Sequence, residues 1–468
     1  MGGSLGLFSR PVDTRRFSAS YQGGNRNTHQ VAASGVETIG GWSFSGQGRA
    51  FTTDGYYIVP DSVRGAVDTP ANVRFAGGSV RADHHTLFLR ADILAEEREN
   101  GTKLQENSTS LGTITAHYAL DNLSALVFHT REQFHASFSS ISADRNTERL
   151  TTLQTVPAEA TGGAGFYSWK GLIAGGDFVH TEGYSKEQSF PTGYRELGGI
   201  LNQGGLFTQG NHAFGPVRII GGLRYQWAGG GHEAWMPSAG VRWRQFRASA
   251  YRGFRAPTLN ELYRDFRAGN VLTQANPALR PETLKGVETG WDGHFERLRI
   301  SATGFYSWLD DLITNVTLRS TPALITRQRQ NAGAAVVRGG ETEITYSRGP
   351  WTGQLSYLFS DARYAAGPRI PQVPRHQGSA QLGWAWRKLS LSGGVRAVSS
   401  QFEDDLNTFL LPGFAVVHCS ARQPLGHGVT VFAAFENLLN RQFVVGYSPT
   451  PLIGAPRLWR AGVRWDHP

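Results

Sequence analysis

The sequence predicts an all-β fold, a transmembrane antiparallel β-barrel of about 22 strands. Three observations predict it: side-chain polarity alternates with a period of two, the connections fall into two length classes, and glycine and aromatic residues are frequent. Of 468 residues, 58 are glycine, 11% are aromatic and only 18% are charged. A barrel strand alternates apolar and polar side chains, so its mean hydropathy resembles that of a soluble protein, and the value here is −0.32. The composition therefore permits membrane-spanning strands.

The alternation is clearest in four stretches, residues 218–227, 298–308, 351–360 and 459–465. In the first of these, Ile219, Leu223 and Trp227 share one parity, whereas Arg218 and Arg224 share the other. Successive side chains of a strand point to opposite faces, and a helical period of 3.6 fits none of the four stretches. The pattern predicts strands with an apolar outer face and a polar inner face.

The connections between the predicted strands alternate between short and long. The short ones are residues 83–85, 120–122, 244–245, 348–350, 387–388 and 424–428. The long, polar ones are residues 52–72, 96–108, 133–162, 181–198, 253–282, 315–335, 361–375 and 438–456. The strands between them have roughly 8 to 12 residues, enough to cross a bilayer when tilted. This layout predicts short periplasmic turns at one end and long extracellular loops at the other.

Several other classes of protein fit poorly. No apolar run approaches the roughly 18 residues of a membrane helix, and a single cysteine, Cys419, excludes an intrachain disulfide. The first residues of the chain lack the basic start and apolar core of a secretory signal. A soluble all-β protein stays open as an alternative, which detergent dependence would test. The aromatic residues favour a membrane, since many lie near predicted strand ends: Tyr306, Trp308, Tyr346, Trp351, Tyr357, Phe359, Trp384, Trp386, Trp459 and Trp465.

Four passages carry a resemblance to a known family. Residues 251–263 read Tyr-Arg-Gly-Phe-Arg-Ala-Pro-Thr-Leu-Asn-Glu-Leu-Tyr, and 275–283 read Ala-Asn-Pro-Ala-Leu-Arg-Pro-Glu-Thr. The others are Asn-Ala-Gly at 331–333 with Gly-Glu-Thr-Glu at 340–343, Val-Pro-Arg-His at 373–376, and Phe-Glu-Asn-Leu-Leu-Asn-Arg-Gln-Phe at 435–443. In this order and spacing the chain resembles the barrels of the TonB-dependent outer-membrane receptors.

The resemblance implies a domain organisation. Residues 17–468 correspond to the barrel of 22 strands that family members have, and residues 1–16 look like a remnant of the plug domain and its connection. A signal peptide, a TonB box and most of the plug are then missing from the sequence as given. Family members use the plug to close the pore, to form part of the ligand site and to transmit the pull of TonB.

The resemblance also implies a function. We expect an outer-membrane receptor barrel of a Gram-negative cell for TonB-dependent uptake of a scarce, large solute, first a ferric siderophore, with cobalamin or another solute as further options. The implied partners are outer-membrane lipid and lipopolysaccharide, the metal chelate or cobalamin, and the TonB–ExbB–ExbD complex for a complete receptor; we expect a monomer and no nucleic acid. The alternative is a passive or inert outer-membrane barrel, such as a pore, an adhesin or a phage receptor.

No sequence pattern predicts an enzyme, a cofactor site or a metal site. The motif His-Glu-x-x-His and the P-loop lysine motif do not occur. Cys419 shares its parity with Ala415 and Val417, so we interpret it as a lipid-facing residue rather than a nucleophile. We therefore predict no catalytic residues.

Two sets of residues are candidates for binding. Aromatic and basic residues in long loops are suited to ligand contact, because loops carry function on a rigid scaffold. This set is Tyr56, Tyr57, Tyr184, Tyr194, Trp227, His232, Trp235, Arg255, Tyr263, Arg264, Arg327 and Arg329. A second set should face the lumen and either pair with acidic groups of a plug or guide an anion: Arg218, Arg224, Arg242, Arg299, Arg396, Arg460 and Arg464. We interpret the passage around Arg255, which carries part of the resemblance, as shaping a loop and its strand ends rather than as binding ligand.

Overall fold

The computed structural model describes residues 14–191, 193–268, 270–321, 324–447 and 450–467. Within them, one closed antiparallel sheet of 22 strands forms a barrel, which confirms the predicted fold class. No helix in these ranges is long and apolar enough to cross a membrane. The segment 1–16, predicted to be a plug remnant, lies outside the described residues up to residue 13.

The first thirteen strands of the barrel follow one another along the chain. They are β1 (Arg16–Gly24), β2 (Thr28–Ile39), β3 (Trp42–Tyr56), β4 (Ala71–His84), β5 (Leu87–Glu99), β6 (Glu106–Leu120), β7 (Leu123–Ile141), β8 (Glu148–Trp169), β9 (Leu172–Ser189), β10 (Gly193–Phe214), β11 (Val217–Ala228), β12 (His232–Trp243) and β13 (Phe246–Arg255). A short 3-10 helix, Asp61–Val63, lies between β3 and β4.

Loop elements interrupt the second part of the barrel. In chain order the elements are helix α1 (Leu259–Tyr263), β14 (Phe266–Ala268), β15 (Val271–Gln274), β16 (Glu282–His294), β17 (Leu298–Asp310), β18 (Ile313–Ser320), β19 (Ile325–Asn331), β20 (Ala335–Arg348), β21 (Trp351–Tyr364), β22 (His376–Trp386), β23 (Leu389–Val398), β24 (Gln401–Phe402), β25 (Leu410–Leu411), β26 (Phe414–Gly426), β27 (Val429–Glu436), β28 (Val444–Tyr447), β29 (Pro451–Ile453) and β30 (Leu458–His467). The barrel strands among them are β16, β17, β20–β23, β26, β27 and β30.

Each barrel strand pairs with the next, and β1 pairs with β30 to close the ring. The closing ladder runs from Phe17 opposite His467 to Gly24 opposite Arg460. Asn25 strengthens the seam, since its side-chain amide donates to the carbonyl oxygen of Arg457 at 2.9 Å. The closed ring leaves no unpaired edge in the sheet, which a membrane-spanning sheet requires because lipid cannot satisfy backbone polar groups.

The two parities of the strands form two different surfaces. Large aliphatic residues project from the outer face, and three of them, Val31, Ile93 and Ile114, are 55%, 70% and 65% exposed. The opposite parity carries arginine, aspartate, serine and glycine and lines the lumen. The register of the strands therefore reproduces the alternation in the sequence.

The predicted difference between the two ends of the barrel is also present. At one end the strands join through tight turns in which a non-glycine residue adopts a positive φ, such as Asp121 (47°), Arg244 (52°) and Arg387 (52°). Such φ values suit the two-residue turns that match the twist of a hairpin. The long connections lie at the opposite end.

Two of the predicted long loops are wrong. Residues 133–162 and 181–198 belong mostly to the strands β7 to β10, which have 19, 22, 18 and 22 residues. A tilted strand needs only about 9 to 11 residues to cross a bilayer, so these hairpins project beyond the membrane. Their upper parts carry polar residues on both faces, because the outer face meets water there and the inner face holds buried polar residues such as Gln154 and Glu187, and a strand of that kind has the composition of a loop.

Three of the remaining predicted long loops, 253–282, 315–335 and 438–456, contain small sheets, as does the connection 399–413, which was not predicted to be a long loop. β14, β15, β19 and β18 form a four-stranded sheet, in which β15 and β19 are parallel. β24 pairs with β25, and β28 pairs with β29. We call this four-stranded sheet, together with residues 399–413 and 437–457, the cap.

Candidate functional site

Helix α1 begins at a complete capping box that fixes the start of the longest loop. The backbone nitrogen of Glu261 donates to Thr258 Oγ1 at 3.2 Å, and the backbone nitrogen of Thr258 donates to Glu261 Oε2 at 2.8 Å. Each side chain thus satisfies a backbone N–H that the short helix leaves free. Burial acts against the charge of Glu261, but hydrogen bonds from Arg255 and Thr258 outweigh it and hold the pKa of Glu261 below its usual value.

Arg255 joins this helix to the barrel wall. Its Nη1 lies 2.9 Å from Glu261 Oε2, and its Nε lies 2.8 Å from Glu282 Oε2. Glu282 also accepts a hydrogen bond from the backbone nitrogen of Ile313 at 2.6 Å. One carboxylate therefore connects the 256–281 loop to the 311–334 loop, which agrees with the interpretation that this passage shapes a loop.

Two asparagines connect the same loops a second time. The side-chain amide of Asn276 donates to the carbonyl oxygen of Arg329 at 2.9 Å. Asn331 accepts from the backbone nitrogen of Arg280 at 2.9 Å and donates to the carbonyl oxygens of Arg280 and Asp311 at 2.9 and 2.7 Å. The sequence passages around 276 and 331 thus have structural partners in each other.

A buried polar cluster holds the 256–281 loop against the inner face of the projecting hairpins. Gln154 of β8, which is 2% exposed, donates to Glu187 Oε1 at 2.9 Å and accepts from Arg264 Nε at 2.8 Å. Arg195 of β10 donates to Glu187 Oε2 at 2.6 Å and to Asp265 Oδ2 at 2.7 Å. Burial lowers the pKa of Arg264. The hairpins are therefore the support on which the loop is positioned.

Contacts between loops also hold the cap together. Asp405 accepts from the backbone nitrogen and the hydroxyl of Thr317 at 3.1 and 2.6 Å. The rings of Phe409 and Tyr447 stack with their centroids 4.8 Å apart. The neighbouring Glu403 has its pKa raised, because burial disfavours its charge more strongly than Gln372 and Arg327 favour it. The cap is thus a packed layer with buried charge inside it.

Arg327 is the most unusual group in the cap. It lies on β19 directly beside Thr273 of β15 and is 8% exposed. Its Nε and Nη2 are buried and make no hydrogen bond within the part of the chain that the structure describes. Leaving a buried donor unsatisfied costs about 1–3 kcal/mol, and more when it is charged. A cation in this state can bind an anionic or polar ligand that supplies acceptors.

A cavity lies at Ile325, on the same strand as this residue. It has a volume of about 450 Å³ and is lined by Asn270, Ile325, Phe409 and Tyr447, among others. Ile325 is two residues from Arg327 on the same face of β19. Asn270 Oδ1 is a second buried polar atom without a partner among the described residues. Aromatic rings and free polar groups around one concave space are the usual features of a ligand site.

The seven arginines expected to face the lumen all lie on the inner parity. Four have a carboxylate partner inside the barrel itself. Arg224 is 2.6 Å from Asp177, Arg464 is 2.9 Å from Asp466, Arg242 is 3.9 Å from Asp292, and Arg460 pairs with Glu436. The other three make no ion pair within the described ranges: Arg218, Arg299 and Arg396. The barrel therefore neutralises much of its own inner charge.

The twelve candidate ligand residues separate into three groups. Arg255, Tyr263, Arg264 and Arg329 come together around α1: the ring of Tyr263 lies against Gly199 of β10, and Arg329 donates to the carbonyl oxygens of Asn260 and Arg264 at 2.8 and 2.7 Å. Arg327 lies in the cap. The remaining seven do not join them: Tyr56, Tyr57, Tyr184, Tyr194, Trp227, His232 and Trp235.

Four of those seven project from the outer face of the barrel, because they share its parity. Trp227 and Trp235 flank Tyr225 there, with centroid separations of 6.0 and 4.9 Å, and Tyr184 and Tyr194 lie on the outer side of β9 and β10. Among the others, Tyr57 lies under the guanidinium of Arg64 at 3.7 Å from its ring centroid, Tyr56 ends β3, and His232 begins β12 with inward parity.

The sequence pattern did not indicate several residues of this region. Gln154, Glu187 and Arg195 were assigned to polar loops, and Asn270, Phe409 and Tyr447 carry no motif. Gln154 and Arg264 are 110 positions apart in the chain, so no local pattern brings them together. The inward parity of Glu187 and Arg195 in an extended β9–β10 hairpin was the one signal that could have found them.

Comparisons with known proteins agree with this geometry. The family model described as "TonB dependent receptor-like, beta-barrel" matches residues 13–438. The chain superposes on the copper transporter OprC with a TM-score of 0.79 at 15% identity, covering 97% of this chain and 80% of that one. It superposes on a mutant of the ferric enterobactin receptor PfeA from Pseudomonas aeruginosa with a TM-score of 0.74 at 14% identity and the same coverage. For the siderophore receptor PirA from Acinetobacter baumannii the TM-score is 0.75 at 11% identity, covering 98% and 81%.

Proposed function

Because this chain belongs to the TonB-dependent receptor-like β-barrel family, we propose that it is an outer-membrane receptor for uptake of a scarce, large solute, first of all a ferric siderophore. The observation that carries this proposal is Arg327, a buried cation with two N–H groups that lack an acceptor among the described residues, on the same strand face as Ile325, which lines an aromatic-lined cavity in the cap. A ferric chelate presents anionic oxygen atoms and flat organic groups. Arg327 would donate hydrogen bonds to the anionic oxygen atoms, and the rings of Phe409 and Tyr447 would pack against the flat organic groups.

The proposed setting is the Gram-negative outer membrane, with the cap on the extracellular side. Uptake through a lumen of this size requires gating, since a barrel of 22 strands is wide enough to need a plug. We propose that a plug domain occupies the lumen and that the TonB complex drives its movement. Arg218, Arg299 and Arg396, which lack a carboxylate partner among the described residues, are the proposed contacts for acidic groups of the plug.

The similar structures include siderophore receptors and a copper transporter, so the ligand of this chain must be found by experiment. The purified chain in detergent is titrated with a panel of ferric catecholates, ferric hydroxamates and cobalamin, while tryptophan fluorescence is recorded. We expect saturable binding of one ferric chelate, and at least tenfold weaker binding by the Arg327→Gln variant.

A matched control is Arg280→Gln, which removes an arginine of the exposed Arg280–Asp311 pair. It should bind as the unchanged chain does. Binding of cobalamin alone would replace the siderophore by another solute, and binding of no member of the panel would contradict the proposal. A steady conductance in a planar bilayer that the bound chelate does not alter would then favour the passive barrel.

A further inference from the structure

The outer wall of the barrel carries an uneven distribution of charge at the long-loop end. On the sector formed by β13, β16, β17, β20 and β21, basic residues outnumber acidic ones. Strand register places their side chains on the outer face, since each stands in a row with exposed apolar residues such as Val287 and Trp308, which are 43% and 42% exposed. These charges face the membrane side of the wall and not the lumen.

We define the rim patch as five cations: Arg252, Lys285, Arg338, Arg363 and Arg375. Arg252 stands directly opposite Lys285, and in the same cross-strand row follow Trp308, Val336 and Arg363. The adjacent row holds Tyr306, Arg338 and Asp361. Neighbouring strands lie about 4.8 Å apart, so the five strands place Arg252, Lys285, Arg338 and Arg363 within about 19 Å, and Arg375, just before β22, joins them through Asp361.

Only two carboxylates accompany the rim patch. Asp361 is surrounded by three guanidinium groups, at 3.3 Å from Arg338, 3.2 Å from Arg363 and 3.1 Å from Arg375. The side chain of Asp361 is 8% exposed, whereas that of Arg338 is 63% exposed. One carboxylate thus brings the arginines together, and their remaining donors point outward.

The second carboxylate, Asp310, lies 3.7 Å from Lys285. Arg252 is exposed and forms no hydrogen bond or ion pair with any residue that the structure describes. Five cations and two carboxylates leave the rim patch with a net charge of about +3. Cations that lie this close together repel one another, and a bound anion reduces that repulsion.

On strands β4 to β10 the outward-facing cations at the same end are paired with carboxylates. The outward-facing Arg131 and Lys186 each have one glutamate, at 3.3 Å (Glu159) and 3.6 Å (Glu196). Arg74 likewise pairs with Glu97, and Glu182 adds further negative charge with outward parity. The basic character therefore belongs to one sector and is not a property of the whole rim.

We propose that the rim patch binds the phosphate groups of anionic lipid headgroups in the outer leaflet. Its position decides in favour of lipid: Tyr306 stands directly opposite Arg338, and the rings of Tyr306 and Trp308 are 4.4 Å apart on the same outer face. Aromatic rings of this kind occupy the interface between headgroups and hydrocarbon. Arginine binds phosphate through paired N–H donors, and juxtamembrane cations attract anionic lipids.

The test uses native mass spectrometry of the complete chain in detergent micelles, titrated with lipid A. Each cation near a membrane surface contributes about 1 kcal/mol to binding of anionic lipid, or about fivefold in affinity. The Arg252→Gln/Arg338→Gln variant should therefore bind lipid A about 25-fold more weakly. Asp361 keeps Arg363 and Arg375 in this variant, so no buried carboxylate is left without a partner.

The control is Arg131→Gln/Lys186→Gln, which removes two paired cations from strands β7 and β9, outside the rim patch, and should change the affinity less than about twofold. Monophosphoryl lipid A should bind more weakly than the bisphosphorylated form. Equal binding by the two double variants would overturn the proposal, as would equal binding of the two lipids. Displacement of lipid A by millimolar inorganic phosphate would also overturn it, because the site would then bind a free anion. Heat-dependent migration on gels checks that each variant is folded.

Discussion

Arg255, the last residue of β13, stands directly opposite Glu282, the first residue of β16, and their Nε and Oε2 atoms are 2.8 Å apart. The side chain of Glu282 is 4% exposed. These two strands lead into and out of the 256–281 loop, so the ion pair closes the base of that loop. The loop in turn carries Arg264 and supports the cap.

Glu282→Gln should loosen two loops at once. The variant weakens the bonds to Arg255 and to the backbone of Ile313, and we expect the local opening free energy to fall by about 2–3 kcal/mol. Hydrogen exchange read by mass spectrometry should show faster exchange in 256–281 and 311–334. The control Asp311→Asn breaks the exposed pair with Arg280, 66% and 39% exposed, and should cost less than about 1 kcal/mol. Faster hydrogen exchange in only one of the two loops would show that Glu282 does not stabilise both.

Helix α1 should lose protection in acid. The pKa of Glu261 is lowered from 4.5 in the folded chain, so its contribution to stability is present above pH 4.5 and is lost as the pH falls through the lowered pKa. Exchange of amides 259–264 should therefore accelerate below about pH 4.5. In Glu261→Gln this dependence should disappear. A helix equally protected at pH 3 and pH 6 would show that the capping box contributes little.

The cap around Glu403 should respond in the opposite direction. Burial raises the pKa of Glu403 above 4.5, so its contribution is present below pH 4.5 and is lost as the pH rises through the raised pKa. Protection of residues 399–413 should then decrease with rising pH, while that of α1 increases. Glu403→Gln should remove the decrease. Parallel pH profiles for the two segments would contradict the assignment.

Arg327→Met should make the free cap more stable and the receptor a weaker binder. Two N–H groups of Arg327 are buried without an acceptor among the described residues, at a cost of about 1–3 kcal/mol, and an apolar side chain of similar length removes this cost, partly offset by the lost attraction to Glu403. We expect slower exchange in β19 together with at least tenfold weaker binding of the ferric chelate. Arg329→Met is the comparison, because Arg329 donates to two carbonyl oxygens and its loss should accelerate exchange. Faster exchange in both variants would show that Arg327 has a structural role.

Gly24→Ala should weaken the seam of the barrel. A Cβ atom at this position would lie 2.4 Å from the carbonyl oxygen of Trp459, which belongs to the backbone of β30 and cannot move aside easily. We expect the free energy of unfolding to fall by about 1–3 kcal/mol. The measurement is the temperature at which the chain changes from its folded to its unfolded migration on a gel, which should be lower in the variant. Gly46→Ala is the control, since a Cβ there meets nothing within 4 Å. Equal shifts in both variants would contradict the close approach at the seam.

The barrel could be predicted because the alternation of apolar and polar side chains is a property of each strand's own short sequence. Ile219 and Leu223 face lipid while Arg224 faces the lumen, and that requirement repeats in every strand with a period of two. The short turns could be predicted from the same local pattern, because Asp121 and Arg387 each lie between two stretches of alternating residues. The resemblance to the receptor family added the identity of the barrel.

The site could be predicted only in part because its contacts cross large distances in sequence. Arg255, Arg264 and Arg327 were found as basic residues in long loops, but nothing in the sequence indicates that Gln154 and Glu187 receive Arg264. The projecting hairpins concealed those partners, since polar residues on both faces remove the alternation that identifies a strand. The cap sheet was missed for the same reason.

The seam between β1 and β30 has a consequence for biogenesis. The backbone nitrogen of Trp459 donates to the side-chain oxygen of Asn25, 434 positions earlier in the chain, so the first strand must wait for the last before its outer edge is paired. Until then a nascent barrel has two open, hydrogen-bonding edges, which attract other strands and promote aggregation. Such a topology of distant contacts folds slowly. The molecule therefore depends on being kept unfolded until synthesis of the whole barrel is complete, and a chain interrupted anywhere before β30 would have no closed form to reach.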